Sequence, residues 1–205
     1  DYGKASATLQ TVADLSARNL APLADGMSPT AFFTEGQPAM SVFPTIQIND
    51  FDSQTLNRIE VYMIHGYQSD LDKLGFVSTT ETGDIQVESN TGSSMYLRSP
   101  SGHATVAQFQ AAARNITYQN IGTAPTIGPR TIGLRAYDDK LAYSSQVLQI
   151  INVIPVNNAM VVSSYPVASP IRGTTPTAIF NTVNVSDVDN LTLAYIKVSF
   201  TFAFN

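Results

Sequence analysis

Val42-Phe-Pro-Thr-Ile-Gln-Ile48 alternates in side-chain character with a period of two. Read as an extended strand, it places Val42, Pro44, Ile46 and Ile48 on one face, and Ser41, Phe43, Thr45 and Gln47 on the other, because successive side chains of a strand point to opposite sides. The same period recurs in Ile59–Met63, Ile85–Val87, Met95–Leu97, Asn115–Tyr118, Thr131–Tyr137, Gln146–Ile154, Thr182–Val185 and Ala194–Phe204. Gly, Pro, Asn, Asp and Ser, the residues that supply turns, bound these runs. Many short strands at close spacing predict an all-β antiparallel sandwich rather than a parallel α/β sheet. One stretch departs from the period: Thr105-Val-Ala-Gln-Phe-Gln-Ala-Ala-Ala-Arg114 joins an N-cap threonine to good helix formers, with Val106, Phe109, Ala112 and Ala113 on one face. It predicts one short helix near 105–114, plugging an end of the sandwich.

The chain also repeats itself. Shifted by 137 positions, Glu35–Val61 aligns without a gap to Arg172–Val198: Gly36, Phe43, Thr45, Asp50, Asp52, Leu56, Ile59 and Val61 meet identical residues at Gly173, Phe180, Thr182, Asp187, Asp189, Leu193, Ile196 and Val198. Shifted by 138, Ser6–Pro22 resembles Ser144–Met160. Two matches at nearly one offset, in the same order, predict an internal repeat. Residues 1–20 then read as the last strand and linker of one module, 21–156 as a complete module, and 157–205 as the opening strands of a third, in a quasi-one-dimensional array.

Composition narrows the function. Among 205 residues there is no cysteine, which excludes a disulfide framework, a Cys-ligated zinc site and a thiol nucleophile. Eleven Lys and Arg against 16 Asp and Glu give a formal charge of -5, unsuited to holding a phosphate backbone, so no nucleic-acid partner is expected. No apolar run approaches the length of a membrane span. The chain opens on Asp1 with no visible signal peptide, so it is expected to be a processed product or an excised piece. His65 and His103 lack metal-ligand spacing, and no nucleophile elbow, phosphate loop or dinucleotide fingerprint is present; no enzymatic activity is expected.

Several motifs, taken in order, resemble a known family. Thr34-Glu-Gly-Gln-Pro38 followed by Pro44-Thr-Ile-Gln-Ile-Asn-Asp-Phe-Asp-Ser53 is similar to the opening of the cadherin-like repeats of large bacterial surface adhesins. Ala104–Asn120 resembles their helix-then-strand segment. Arg130-Thr-Ile-Gly-Leu-Arg-Ala-Tyr-Asp-Asp139 and Val153-Ile-Pro-Val-Asn-Asn-Ala159 resemble their closing strands and linker. Chondroitin-sulfate-proteoglycan-type repeats share this plan. The resemblance implies Greek-key, immunoglobulin/cadherin-like sandwich modules in tandem, at the cell surface or outside the cell, acting as the spacer or shaft of an adhesin or fibre. Neighbouring repeats and self-assembly into a fibre are the partnerships it implies.

It also implies Ca²⁺ at module junctions. The positions that match are Glu35, the strand-end pairs Asp50/Asp52 and Asp187/Asp189, the linker amides Asn157 and Asn158, and Asp138 after the strand Thr131–Tyr137. A hard cation seeks six to eight oxygens, and carboxylates with linker amides are the donors that supply them. The competing reading gives each aspartate an Asx-type turn with its own backbone, and Asp138-Asp139 an acidic hairpin turn. Asn115-Ile-Thr, Asn184-Val-Ser and Asn190-Leu-Thr are N-glycosylation sequons, with Asn184 expected to point outward as the counterpart of Gln47. Tyr62, Tyr67, Tyr96 and Tyr143 are either a sugar-stacking platform or cross-strand packing partners. From them follows the alternative function, a glycan- or protein-binding module of a surface protein.

Overall fold

The computed structural model describes residues 18–26, 30–166, 178 and 180–199. Two compact units divide between Ile154 and Pro155. Most of the expected closing strand within residues 1–20 lies outside the described residues.

The first unit is an all-β sandwich. Its larger sheet has six strands: β2 (Ala31–Thr34), β11 (Val147–Ile154), β10 (Gly128–Asp138), β5 (Leu56–His65), β8 (Ser94–Arg98) and β7 (Gln86–Asn90), in that spatial order. The smaller has three: β3 (Met40–Ser41), β9 (Ile116–Asn120) and β6 (Asp72–Phe76). A two-stranded ribbon joins β1 (Leu23–Asp25) to β4 (Gln47–Asn49). All pairings are antiparallel except β2 with β11, which run parallel from Ala31/Ile151 to Thr34/Ile154. The inner residues of both sheets form one core: Ile59, Val61, Met95, Leu97, Ile132, Leu134, Ile151 and Val153 from the larger, Leu74, Ile116 and Tyr118 from the smaller. Phe33 meets Tyr118 edge-on across the core, ring centroids 5.3 Å apart. Burying each such large apolar side chain is worth about 1.5–3 kcal/mol.

The helix, α1 (Val106–Arg114), carries the chain from β8 to β9. Thr105 caps it: its side chain accepts from the Gln108 N–H while the Gln108 amide accepts from the Thr105 N–H. Phe109, Ala112 and Ala113 are its buried face. The Arg114 guanidinium donates twice to the Ile46 carbonyl and Gln110 accepts from the Ile48 N–H, anchoring the helix to β4 and the turn before it.

Val42–Ile48 departs from the expected single strand. Val42 and Phe43 are both buried, while Pro44 and Thr45 are exposed. The run is not one strand: β3 ends at Ser41 and β4 begins at Gln47, and the turn between them resets the alternation. Likewise Ala194–Ser199 forms no strand; the rest of the expected run to Phe204 lies outside the described residues.

In the second unit β12 (Val161–Pro166) pairs antiparallel with β13 (Phe180–Ser186). Its register duplicates the first ribbon. Leu23, Ala24 and Asp25 pair with Asn49, Ile48 and Gln47; Val161, Val162 and Ser163 pair with Ser186, Val185 and Asn184. These are the same pairings displaced by 138 positions on one strand and 137 on the other. Burial differs sharply between the copies. Ile46, Ile59 and Val61 are 1 %, 0 % and 0 % exposed, whereas their counterparts Val183, Ile196 and Val198 are 45 %, 67 % and 56 % exposed. Phe43 and Leu56 are buried as well, and Phe180 and Leu193 are not.

Candidate functional site

Asp50 lies just beyond β4, where the chain turns toward β5. Its Oδ1 accepts from the N–H groups of Asp52 (3.2 Å) and Ser53 (3.1 Å), an Asx turn. Asp52 Oδ2 in turn accepts from the Leu20 N–H at 3.1 Å, clasping the segment that leads into β1. The second unit repeats each bond: Asp187 Oδ1 accepts from Asp189 (2.9 Å) and Asn190 (3.1 Å), and Asp189 Oδ2 accepts from the Asn158 N–H. The turn reading of the Asp-x-Asp pair describes both copies. The first aspartate shapes the turn and the second ties down the linker.

Asp138 strengthens the clasp in the first unit. It is buried at the end of β10, where Oδ1 accepts from the Lys140 and Ala142 N–H groups at 2.8 and 2.9 Å. These bonds close the expected hairpin turn, in which Leu141 takes a left-handed φ of 68°. Asp138 Oδ2 accepts from Asn19 Nδ2 at 2.6 Å, and Asp139 accepts from the Thr55 hydroxyl at 2.6 Å. Glu35 stands elsewhere: its N–H donates to the Ile154 carbonyl, at the opposite end of the larger sheet from Asp138 and Leu56. Asn157 accepts from Asn190 Nδ2 at 3.2 Å. The eight positions therefore form separate groups: Asp50, Asp52 and Asp138 at one end of the first unit, Glu35 at the other, and Asn157, Asn158, Asp187 and Asp189 in the second unit.

Electrostatics separate the twin turns. Burial pushes the Asp50 carboxyl up, with the neighbouring Asp52 adding to the rise, whereas the Asp189 N–H leads the bonds that hold Asp187 low. Asp50 Oδ2 is buried without a hydrogen-bond partner. That orphaned carboxylate oxygen suits a hard cation. Among the described residues no three His, Asp or Glu side chains are grouped to hold a metal, so a cation there would draw on amide and main-chain oxygens too.

The sequons differ in setting. Asn184 is exposed on β13, as Gln47 is on β4. Asn115 caps the end of α1 and donates to the Thr79 hydroxyl at 3.3 Å, and Asn190 donates to Asn157 and Asp187. Of the tyrosines, Tyr62 and Tyr96 stand on the outer face of the larger sheet, and Tyr143 packs on Tyr137 of that face with rings 5.4 Å apart. Tyr67 instead covers Gly92 and donates to the Ser69 carbonyl.

One polar cluster has no forerunner in the sequence reading. Asp72, fully buried, accepts from the Gln68 N–H, the Tyr118 hydroxyl, Asn120 Nδ2 and Arg130 Nε at 2.7–2.9 Å. Arg130, 2 % exposed, also donates to the Gly128 and Thr126 carbonyls and to Gln68 Oε1. The cluster locks the loops at 66–72 and 120–130 together, and burial with the Asp72 charge beside it pushes the Tyr118 hydroxyl far up. The signal was faint: Asp72 and Arg130 are 58 positions apart.

Among the described residues no helix is long and apolar enough to cross a membrane. Compared with protein-family models and with curated proteins, the chain matches none of them.

Proposed function

We propose that this chain is a stretch of a tandem array of cadherin-like sandwich modules, serving as a spacer or shaft of a surface adhesin or fibre outside the cell. The observation that carries the reading is the paired burial pattern. The second unit copies the ribbon register and the Asp-x-Asp clasp of the first, yet leaves exposed the apolar positions that the first unit covers. Such an open half-core is what the opening strands of a further repeat present before the rest of that repeat closes over them. The role is mechanical and cohesive, without catalysis: each module holds itself through its core, and the clasp ties its leading segment to its own Asp-x-Asp turn.

Calcium is the finer part of the proposal. Asp50 and Asp52 would hold it in the first unit, Asp187 and Asp189 in the second, and its charge would draw linker oxygens onto the turn. Asn184 is the sequon whose setting best suits a glycan.

The array reading is tested by extending the chain. Because Asn205 corresponds to Gln68 in the repeat, a copy of residues 69–154 is appended after Asn205. Hydrogen exchange should then slow across β13 and residues 193–199, with protection rising to match β4 and β5. If those amides exchange as fast as before, the second unit is not an unfinished repeat and the array reading fails.

A further inference from the structure

We propose that the outer face of the larger sheet carries a cleft for neutral saccharides, centred on Tyr96, Arg98 and Glu88. The inference stands on observations separate from the array reading.

Strand register sets two cross-strand rows on this face. Tyr137, Arg58, Arg98 and Gln86 stand in one; Arg135, Glu60, Tyr96 and Ser89 stand in the next. Between β7 and Glu60 open two adjoining clefts of about 540 and 290 Å³, and Glu88 and Arg98 line both. The first continues over Ser99–Gly102, and the second has Tyr96 and Arg58 in its wall. A bulge between Val87 and Ser89 interrupts the edge strand where Glu88 sits.

The charges in this cleft are arranged unusually. Arg58 and Arg98 are directly opposite on adjacent strands, a placement that like charges disfavour. Each guanidinium is turned to a carboxylate: Arg58 Nε to Glu60 at 2.9 Å, Arg98 Nη1 to Glu88 at 3.1 Å. Arg58 also lies 4.2 Å over the Tyr137 ring. The cleft is therefore neutral in sum but dense in polar groups. Arg98 Nε and Nη2, Glu88 Oε2 and the Tyr96 hydroxyl make no hydrogen bond among the described residues.

That set matches a pyranose. Vicinal hydroxyls both donate and accept, so they can take the planar guanidinium donors on one side and the carboxylate acceptor on the other. The apolar C–H face of the ring can lie on Tyr96. An anionic ligand would meet Glu60 and Glu88, and a cationic one Arg58 and Arg98; an uncharged polyol meets neither repulsion. The larger cleft, about 540 Å³, falls within the range of small-molecule sites, about 300–1,000 Å³, and the smaller extends it along the sheet.

The test mixes the full chain with lactose, mannotriose and N-acetylchitotriose and reads saturation transfer to the sugar and amide shifts on the protein. Expected are transfer to at least one sugar, shifts at Glu88 and Tyr96–Gly102, and a Kd on the order of millimolar. Arg98→Ala and Tyr96→Ala should each weaken binding about tenfold or more, and Tyr143→Ala should not. Should Tyr96→Ala fail to fold, Arg98→Lys, which keeps the charge but loses the planar fork, reads the same contact. The proposal is overturned if none of the three sugars shows transfer at about 10 mM, if the shifts lie elsewhere, if Arg98→Ala binds as the parent does, or if a heparin fragment binds more tightly than all three.

Discussion

Replacing Arg130 by methionine should be among the most damaging single changes in the first unit. The substitution keeps an unbranched apolar stem but removes the guanidinium that faces Asp72 at 2.9 Å, with both side chains at most 2 % exposed. Asp72 would retain its bonds from Gln68, Tyr118 and Asn120 but lose its countercharge. Breaking a buried pair from one side costs about 3–5 kcal/mol, because the remaining charge stays out of water uncompensated. The carbonyls of Gly128 and Thr126 also lose a donor, which loosens the 120–130 loop. In a unit of this size the sum should lower the melting temperature by roughly 10 °C or more. Urea unfolding at neutral pH, followed by circular dichroism, measures the loss of free energy directly. The companion variant Asp72→Asn/Arg130→Met removes both charges, and it should return to within about 2 kcal/mol of the parent, since the uncompensated charge is gone. A loss below about 1 kcal/mol for Arg130→Met, or a double variant as unstable as the single, would refute the account of the pair as a buried, mutually dependent lock.

Three further outcomes are expected. Thr105→Ala removes the acceptor for the Gln108 N–H and should cost about 1 kcal/mol by chemical denaturation, with Thr105→Ser restoring most of it. Gly66→Ala should destabilise by more than about 1 kcal/mol, because φ is +77° there and an added Cβ would stand 2.1 Å from the Pro129 carbonyl oxygen; an unchanged unfolding midpoint would remove the steric argument. Asp50, with its carboxyl pushed up, favours the folded state most when protonated and loses that contribution as pH rises through its folded pKa. Asp50→Asn should therefore flatten this part of the stability profile between acid and neutral pH, changing stability at pH 7 by less than about 1 kcal/mol; calorimetry across that range checks it, and a steeper profile in the variant would contradict it.

The sequence revealed its strands where one face is buried and the other wet, as in β11, because burial then imposes a period of two. The helix was legible because Thr105 reads as an N-cap before a run of good helix formers; the capping-box partner Gln108 is added by the structure. Phe43 was assigned to the wrong face because a turn at Pro44 and Thr45 resets the phase, and period counting assumes an unbroken strand. β6 escaped notice altogether: Asp72, Lys73 and Gly75 are poor strand formers, and the segment is held by pairing with β9 and by the Asp72 bonds, which are tertiary. At the candidate site the Asp-x-Asp turns were readable from local spacing. The clasp from Asp52 to Leu20 was not, since it joins groups 32 positions apart, and only the repeat placed Asn19 and Asn157 as counterparts.

The parallel pairing of β2 with β11 gives the first unit a particular response to load. β2 lies near the start of the unit and β11 ends it, and both run the same way. Tension drawn through the two ends pulls these neighbours in opposite senses along their common axis. The bonds from Ala31/Ile151 to Thr34/Ile154, with the Glu35 N–H to the Ile154 carbonyl beside them, are then strained in shear together rather than opened one after another. A ribbon peeled from one end yields bond by bond at low force; a sheared pair yields only when the whole set gives way. Pulling on this module would therefore meet a mechanical clamp located in five residues, Ala31–Glu35, against the last strand.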